Sequence, residues 1–444
     1  MTRIGFAYNQ KPLPATAAGS SSGGASSPDA VRDALAVGVL ADDEEPPSSA
    51  TAIAAAPVGD DEYAEWDSPA TIAAVAAALA GLGEVVHLEA TPDFPERLRA
   101  ERERGLDIVF NMAEGLRGVN RESHVPAILE FFGVPYSGSD PLTLSLCLDK
   151  GRTKEMLAYH GVPTAAFTVV RNARDLAALV ERVGGRGSGP ELGDSTRHRA
   201  DSRPATRDPL SLPLFVKPVH EGSSKGITER NYCETIEHLE AQVTFLLEAY
   251  QQPVLVEEYL PGREFTCAVL GNGDAAQVLP LVGMNFGALP EGALPVYGYE
   301  AKWVWDRPDN PLEMFECPAR VGDDLQAAIE DVTLRAYHAL ACRDWARVDV
   351  RLGADGAPRV VEINPLPGIL PDPADNSCLP KAARAAGLGY DELIQACVLA
   401  AAERQGVSLK RSTGRGGRHS DRSSVSRAAS HVSDDVPSYA ARQG

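Results

Sequence analysis

Short apolar runs alternate with helical patterns along most of this 444-residue chain. RIGFAY predicts an opening strand. In SPATIAAVAAALAGLG, Ile72, Val75, Ala76, Leu79 and Leu82 recur at helical spacing behind a Ser-Pro start and before a glycine stop, so a helix is expected there. EVVHLEA and DIVFNMAE predict the next strands and SHVPAILEFFG the next helix, with VPYSG continuing the alternation. Residues 1–138 therefore read as an open, largely parallel α/β sheet. Ligands of such sheets gather at the carboxyl ends of the strands, which draws attention to Glu114 and the loop GLRGVNRES after it.

From Asp140 the pattern runs helix, strand (VPTAAFTVV), helix, strand (LFVKP), then a long helix in CETIEHLEAQVTFLLEAY. Paired strands in PVLVEEYLPGREFTCAVLG, an amphipathic helix in DDLQAAIEDVTLRAYHALAC and a hairpin complete it. Three stretches break the periodicity: about residues 12–60, about 185–211, and a tail from 405 to 444, all rich in Gly, Ser, Pro and charge and expected to be disordered. The plan is an N-terminal domain at 1–138 and two further units at 139–256 and 257–404.

The hairpin ARVDVRLGADGAPRVVEINPLPG carries the sharpest expectation, because an Asp-Gly turn between alternating strands sets a register. With Asp355-Gly356 as a two-residue loop, Asp349 lies opposite Glu362 and Arg347 opposite Asn364, while Val348, Val350, Val361 and Ile363 take the other face. Facing carboxylates destabilise a sheet unless something positive joins them. Mg²⁺ (or Mn²⁺) held by Asp349, Glu362 and the amide oxygen of Asn364, and shared with nucleotide phosphates, would do so. A charged, solvated outer face is the plainer reading, and a three-residue turn would break the pairing.

LFVKPVHEGSSKGI then acquires a role. Lys217 ends an apolar run beside a loop in which the N–H groups of Gly222, Ser223 and Ser224 can wrap phosphates. No Walker loop is present. His220, beside this loop, reads as a lid or solvent-facing residue rather than a general base. Cys378, with no evident activating neighbour, reads as a packing thiol.

A formal charge of −20 disfavours nucleic acid and anionic membranes as partners, and a small-molecule substrate fits better. Seven scattered cysteines with no Cys-x-x-Cys spacing suggest a reducing, cytoplasmic setting. No apolar stretch has signal-peptide or membrane-span length.

CLDKGRTKEMLAYHGVPT, LFVKPVHEGSSKGI, VLVEEYLPGREFTCAVL, YEAKW, RVDVRL, EINPLPG and SCLPKAARAAGLGYDELI, in that order, resemble the D-alanine:D-alanine ligase family of the ATP-grasp superfamily. The resemblance implies an α/β ATP-grasp fold behind a Rossmann-like (pre-ATP-grasp) parallel-sheet domain. It assigns Lys150, Lys217 and Lys302, with Ser223 and Ser224, to the phosphates of ATP. Glu257, Tyr259 and Leu260 fall at the adenine and Glu264 at the ribose. Arg347, Lys302 and Ser223 are the candidate catalytic groups, and Asp349, Glu362 and Asn364 the magnesium ligands. Ser377 and Gly368 are to hold the second substrate's carboxylate, while Glu65 or Asp67, with Glu122 in the following loop, is to anchor the first substrate.

The implied reaction joins two D-alanines through an acyl phosphate for peptidoglycan precursor synthesis, in a cytoplasmic enzyme that forms a homodimer. The chain departs from the family at three places: YAEWDSPAT replaces the usual Gly-rich donor loop, FNMAEGLRGVNRES stands where a His-Gly start and a Gly-Glu-Asp-Gly loop are common, and Trp303 stands where a tyrosine is common. Another amino-acid or hydroxy-acid acceptor, and an inactive nucleotide-binding regulator, remain alternatives. Glu65 and Asp67 also read as an acidic cap for the helix that follows, and Glu122 as a solvated loop acid.

Overall fold

The computed structural model describes residues 1–12, 63, 65–185, 210–298, 300–305 and 312–409. The stretch at about 12–60, the insertion at about 185–211 and the tail lie almost wholly outside the described residues. The tail begins later than expected. Gln405 donates from Nε2 to the Tyr136 carbonyl (2.7 Å) and accepts from the Tyr136 N–H (3.2 Å), and Val407 and Leu409 pack on the core.

The N-terminal sheet is parallel, with β1 (Arg3–Tyr8) between β2 (Glu84–Glu89) and β3 (Ile108–Asn111). Around it lie α1 (Pro69–Ala80), α2 (Phe94–Glu103) and α3 (His124–Phe132). Ser68 accepts from the Thr71 N–H (3.1 Å) and caps α1, so neither Glu65 nor Asp67 is spent as a cap. Helix α2 escaped the sequence reading because only Phe94 and Leu98 are buried in an otherwise charged run.

Helices α4 (Pro141–Leu148) and α5 (Lys150–Tyr159) lead into an antiparallel sheet ordered β4-β7-β5-β6. Its strands are β4 (Phe167–Val170), β5 (Leu214–Pro218), β6 (Tyr232–Cys233) and β7 (Val254–Glu258). Leu214, Val216, Val254 and Val256 face α6 (Ala173–Gly184) and α7 (Ile236–Tyr250) in one core, and period two sends Lys217 and Glu257 to the opposite face.

The third sheet is ordered β11-β10-β8-β12-β13, with β9 on β8. Its strands are β8 (Glu264–Leu270), β9 (Gln277–Val278), β10 (Val282–Met284), β11 (Phe315–Glu316), β12 (Trp345–Leu352) and β13 (Pro358–Asn364). Helices α8 (Asp323–Ala339), α9 (Cys378–Ala385) and α10 (Tyr390–Arg404) complete the chain. The expected pairing of β7 with β8 is wrong. The chain leaves one sheet after Glu258 and enters the other at Glu264, since β7 bonds to β4 and β5 while β8 bonds to β10 and β12. A local turn signal cannot tell a hairpin from a crossing between sheets.

Trp345 is fully buried and stacks on Phe110 of the first sheet at 5.8 Å. Beside it, buried Asp344 receives Arg404 (2.8 Å), Asn272 (2.8 Å) and the Gly138 N–H (2.8 Å). Four distant segments thus share one carboxylate, and no cysteine of the described residues is in a disulfide. No helix among the described residues is long and apolar enough to cross a membrane.

Candidate active site

A cavity of about 420 Å³ is lined by strands of the two antiparallel sheets and by loop residues of the N-terminal domain, Lys11 beyond β1 and Glu114 beyond β3 among them. Its walls begin with the hairpin β12-β13. Arg347 pairs with Asn364 and Asp349 with Glu362, as expected, but by a different route. Residues 354–356 form a three-residue loop closed by Gly353 N–H to Ala357 O (3.0 Å), with Gly356 at φ 75°. That turn shifts the pairing by one, and a bulge at Val361 shifts it back, so the register slips between Asp349 and Val350. Val361 consequently lines the cavity and leaves the apolar face to Val348, Val350, Val360 and Ile363.

The positive charge that the facing acids require is present as side chains. Arg347 grips Asp349 through Nε (3.1 and 3.2 Å) and a terminal nitrogen (2.9 Å), Thr266 donates to the same carboxylate (3.0 Å), and Lys150 meets Glu362 at 3.0 Å. Burial would raise the Glu362 carboxyl, but Lys150, Lys217 and Arg347 together hold it below its ordinary value. Lys302, on the π-helical turn Glu300–Trp305, is pushed down to about 8 by burial and by Arg347. Asp349, Glu362 and Asn364 offer only hard oxygen donors to the cavity, the chemistry a divalent cation such as Mg²⁺ prefers. Among the described residues no cluster of three or more His, Cys, Asp or Glu side chains is placed to hold a metal.

Behind this wall Glu257 is shared by two buried lysines, Lys217 at 2.7 Å and Lys154 at 2.8 Å. Burial opposes its charge, yet the two lysines bring its pKa down to about 2. The loop after β5 closes the side. Ser223 and Ser224 are both left-handed (φ 50° and 62°) in a turn closed by the Lys225 N–H to the Gly222 carbonyl (3.0 Å), a conformation that can serve as an anion nest, and Ser224 Oγ donates to the Tyr297 carbonyl (3.1 Å). A Cβ at Gly222 would strike the Glu65 carboxylate, so a larger residue there would have to displace that side chain.

The opposite end is acidic. Glu65 receives both arms of Arg121 (2.7 and 3.1 Å) with Lys225 at 3.8 Å, and although burial raises its carboxyl, these cations keep it low. Burial pushes Asp67 up to about 7 against the pull of Lys11. Glu122 is 8% exposed and rises to about 7 by burial. Glu114 is driven well up, by burial and then by Glu122, Glu65 and Asp67. Glu122 is therefore a cavity wall and not a solvated loop acid.

Tyr259, Leu260 and Glu264 line the far end. Gly368 lines the cavity too, and its carbonyl accepts from Ser377 Oγ (3.1 Å), which in turn accepts from the Leu370 N–H (3.1 Å). Every site residue expected from the sequence borders this one cavity. Two neighbouring readings need correction. His220 turns to Asp149 (3.3 Å) and is mostly buried, not solvent-facing. Cys378 does have positive neighbours, Arg347 and Lys302, but burial outweighs them and lifts its thiol to about 11.

The sequence reading missed Lys154, Arg121, Lys225, Thr266 and Arg351. Arg351 and Thr266 were within reach, since period two places them on the face of Arg347 and Glu264. Lys154 lies one helical turn from Lys150. Nothing local pointed to Arg121, whose partner Glu65 is distant in sequence.

Two antiparallel sheets closing on lysines and a carboxylate-bearing hairpin, behind a parallel-sheet domain, define an ATP-grasp protein. Two crystal structures of D-alanine–D-alanine ligase from Bacillus anthracis share the fold, one complexed with ATP (TM-score 0.53, 20% identity) and a second (TM-score 0.54, 22% identity), each covering 91% of this chain and 99% of its own. Residues 191–399 match the family model described as D-ala D-ala ligase C-terminus. The D-alanine–D-alanine ligase of Bordetella petrii is 34% identical over 70% of this chain and 81% of its own, and that of Desulforudis audaxviator 36% over 74% and 92%. An uncharacterized protein of Sinorhizobium fredii is 36% identical over 65% of this chain and 72% of its own. The chain belongs to the D-alanine–D-alanine ligase family.

Proposed function

We propose that this protein is an ADP-forming ligase that joins two D-alanines at the expense of ATP, supplying a dipeptide for peptidoglycan synthesis. One observation carries the reading: Lys150, Lys217, Lys302 and Arg347 converge with the Asp349/Glu362 pair on a single cavity in a chain of this family. A carboxylate is a poor electrophile. The first amino acid's carboxylate therefore attacks the γ-phosphorus of ATP, giving an acyl phosphate and ADP. The second amino acid's free amine then attacks the acyl carbon, phosphate leaves, and the amine gives up its proton.

Each residue has a task in that sequence. Lys150 and Lys217, with the nest at Ser223 and Ser224, hold the phosphates, and Lys302 and Arg347 stabilise negative charge as it concentrates at the reacting centre. Tyr259 and Leu260 flank the adenine, with Glu257 behind them, and Glu264 takes the ribose. Mg²⁺ or Mn²⁺ at Asp349, Glu362 and Asn364 would neutralise phosphate charge. Glu65, held ionised, is the stronger candidate than Asp67 for the donor's ammonium group, with Glu122 adding negative potential. Ser377 and the Gly368 backbone take the acceptor's carboxylate. The loop carrying Ser223 excludes water, which would otherwise hydrolyse the acyl phosphate. The reading includes a cytoplasmic homodimer divided into units at 1–138, 139–256 and 257–404.

Phosphate release from Mg-ATP decides it, measured with D-alanine alone, with D-alanine plus D-lactate, and with other amino acids, each product being identified by mass. Turnover with D-alanine alone, yielding its dipeptide, is expected. Turnover only with a different acceptor, or ATP binding without turnover under every condition, would overturn the assignment.

A further inference from the structure

Arg351 lies outside the roles assigned so far, yet it lines the same cavity. It sits on β12 directly across from Glu264 of β8 and is 6% exposed. One terminal nitrogen donates to Glu264 Oε2 (3.0 Å), and the other donates to the Tyr259 hydroxyl (3.1 Å) and the Pro295 carbonyl (2.9 Å). Its guanidinium also lies over the rings of Tyr259 (5.1 Å) and Phe286 (5.3 Å). A planar fork wedged between two aromatic faces has little freedom, and it fixes whatever its two ends grip.

Those ends belong to different parts of the wall. Pro295 lies on a strap, residues 294–297, that is tied elsewhere to the loop after β5: the Leu294 N–H donates to Glu229 (3.1 Å) and the Tyr297 carbonyl accepts from Ser224 (3.1 Å). Val296 and Tyr297 face the cavity. Glu264 lies on the sheet opposite. Burial raises the Glu264 carboxyl, and Arg351 is the nearest group that favours its charge.

We propose that Arg351 is a positioning residue for nucleotide recognition: it orients the carboxylate of Glu264 toward the ribose hydroxyls, and pins the strap over that same end. The proposal rests on the reading of Glu264 as the ribose contact. A lysine does not replace it, because one ammonium cannot present a fork to the carboxylate and the Pro295 carbonyl while stacking on Tyr259.

The test compares ATP with 2′,3′-dideoxy-ATP, each with Mg²⁺, by calorimetric affinity and by the KM-against-kcat split, in the wild type and in R351M, R351K and E264Q. Thermal melting and circular dichroism verify folding, and R351K, which keeps charge and stem, guards against collapse of the R351M variant. The wild type is expected to prefer ATP by about tenfold or more, as hydrogen bonds to a charged group allow. Both Arg351 variants should lose most of that preference, with KM for ATP rising more than kcat falls. Nucleotide-induced hydrogen-exchange protection of residues 294–297 should also disappear. A purely structural role would weaken both nucleotides equally and leave their ratio intact, which overturns the proposal. If E264Q loses the preference while R351M and R351K keep it, Arg351 is excluded and the ribose role of Glu264 stands. A wild type indifferent to the missing hydroxyls would remove both.

Discussion

The two ends of the cavity treat the same chemical group in opposite ways. Around the hairpin β12-β13 each carboxylate meets a cation within about 3 Å: Asp349 with Arg347, Glu362 with Lys150, Glu257 with Lys217 and Lys154. At the other end Glu65, Asp67, Glu114 and Glu122 crowd together, and among the described residues it is Glu65 that meets cations within 4 Å, Arg121 and Lys225. Burial is severe at both. The difference lies in the cations, which hold Glu257 at about 2 while Asp67 and Glu122 drift to about 7. One end thus surrounds its carboxylates with cations and the other leaves most of its acids short of them, which is the asymmetry the proposed phosphate and ammonium subsites need.

The largest effect should come from removing both facing acids. In D349A/E362A the affinity for Mg-ATP is expected to fall about a hundredfold or more, since loss of groups that merely support metal ligands already costs 10–100-fold. If no metal bridges them, the sign reverses. Arg347 and Lys150 would then be released to the phosphates and binding would tighten, so calorimetry with and without Mg²⁺ separates the two cases.

Next in size is E257Q, which strands two buried lysines on one amide oxygen. Breaking a buried pair costs about 3–5 kcal/mol, and Tm should drop by roughly 5 °C or more. The isosteric change at the opposite end, E122Q, should raise Tm at pH 8 and leave it unchanged at pH 4. A stabilising E257Q would show that the cationic end is not electrostatically satisfied as described.

The pH profile sharpens the contrast. Asp67 and Glu122, ordinarily at 3.8 and 4.5, titrate near 7 when folded, so they hold protons that the unfolded chain has released. Their contribution to stability is complete below about pH 4 and is lost as pH rises through about 7. Glu257, lowered to about 2 from 4.5, contributes above 4.5 and loses that contribution as pH falls through about 2. In D67N/E122Q the decline in Tm between about pH 4 and 7 should flatten; an unaltered slope would mean that neither acid titrates there.

The smallest change tests the hairpin alone. Replacing Gly356, at φ 75°, with alanine should cost about 1 kcal/mol by chemical denaturation and leave nucleotide affinity untouched. An equal loss of affinity would tie the turn to the site.

What could be read along the chain was whatever depends on neighbours in sequence. Period-two alternation put Arg347 and Asp349 on one face and the valines on the other, helical spacing located α1 and α8, and Lys217 with its Gly-Ser-Ser loop, read as a candidate phosphate site, does border the cavity. The facing of Asp349 and Glu362 was reached through a two-residue turn that the chain does not make. The bulge at Val361 restores the pairing, because a one-residue slip would carry Glu362 into the apolar core.

Tertiary structure alone decided the rest. That β7 and β8 belong to different sheets, that Arg121 reaches Glu65, and that Arg351 joins Glu264 to the Pro295 carbonyl are contacts between segments whose encounter no local pattern encodes. Charge state is of the same kind. Glu122 and Glu257 are the same residue type and both are buried, but two lysines in direct contact send Glu257 down to about 2, while Glu122, with Glu65 and Glu362 opposing the pull of Arg121 and Lys150, rises to about 7.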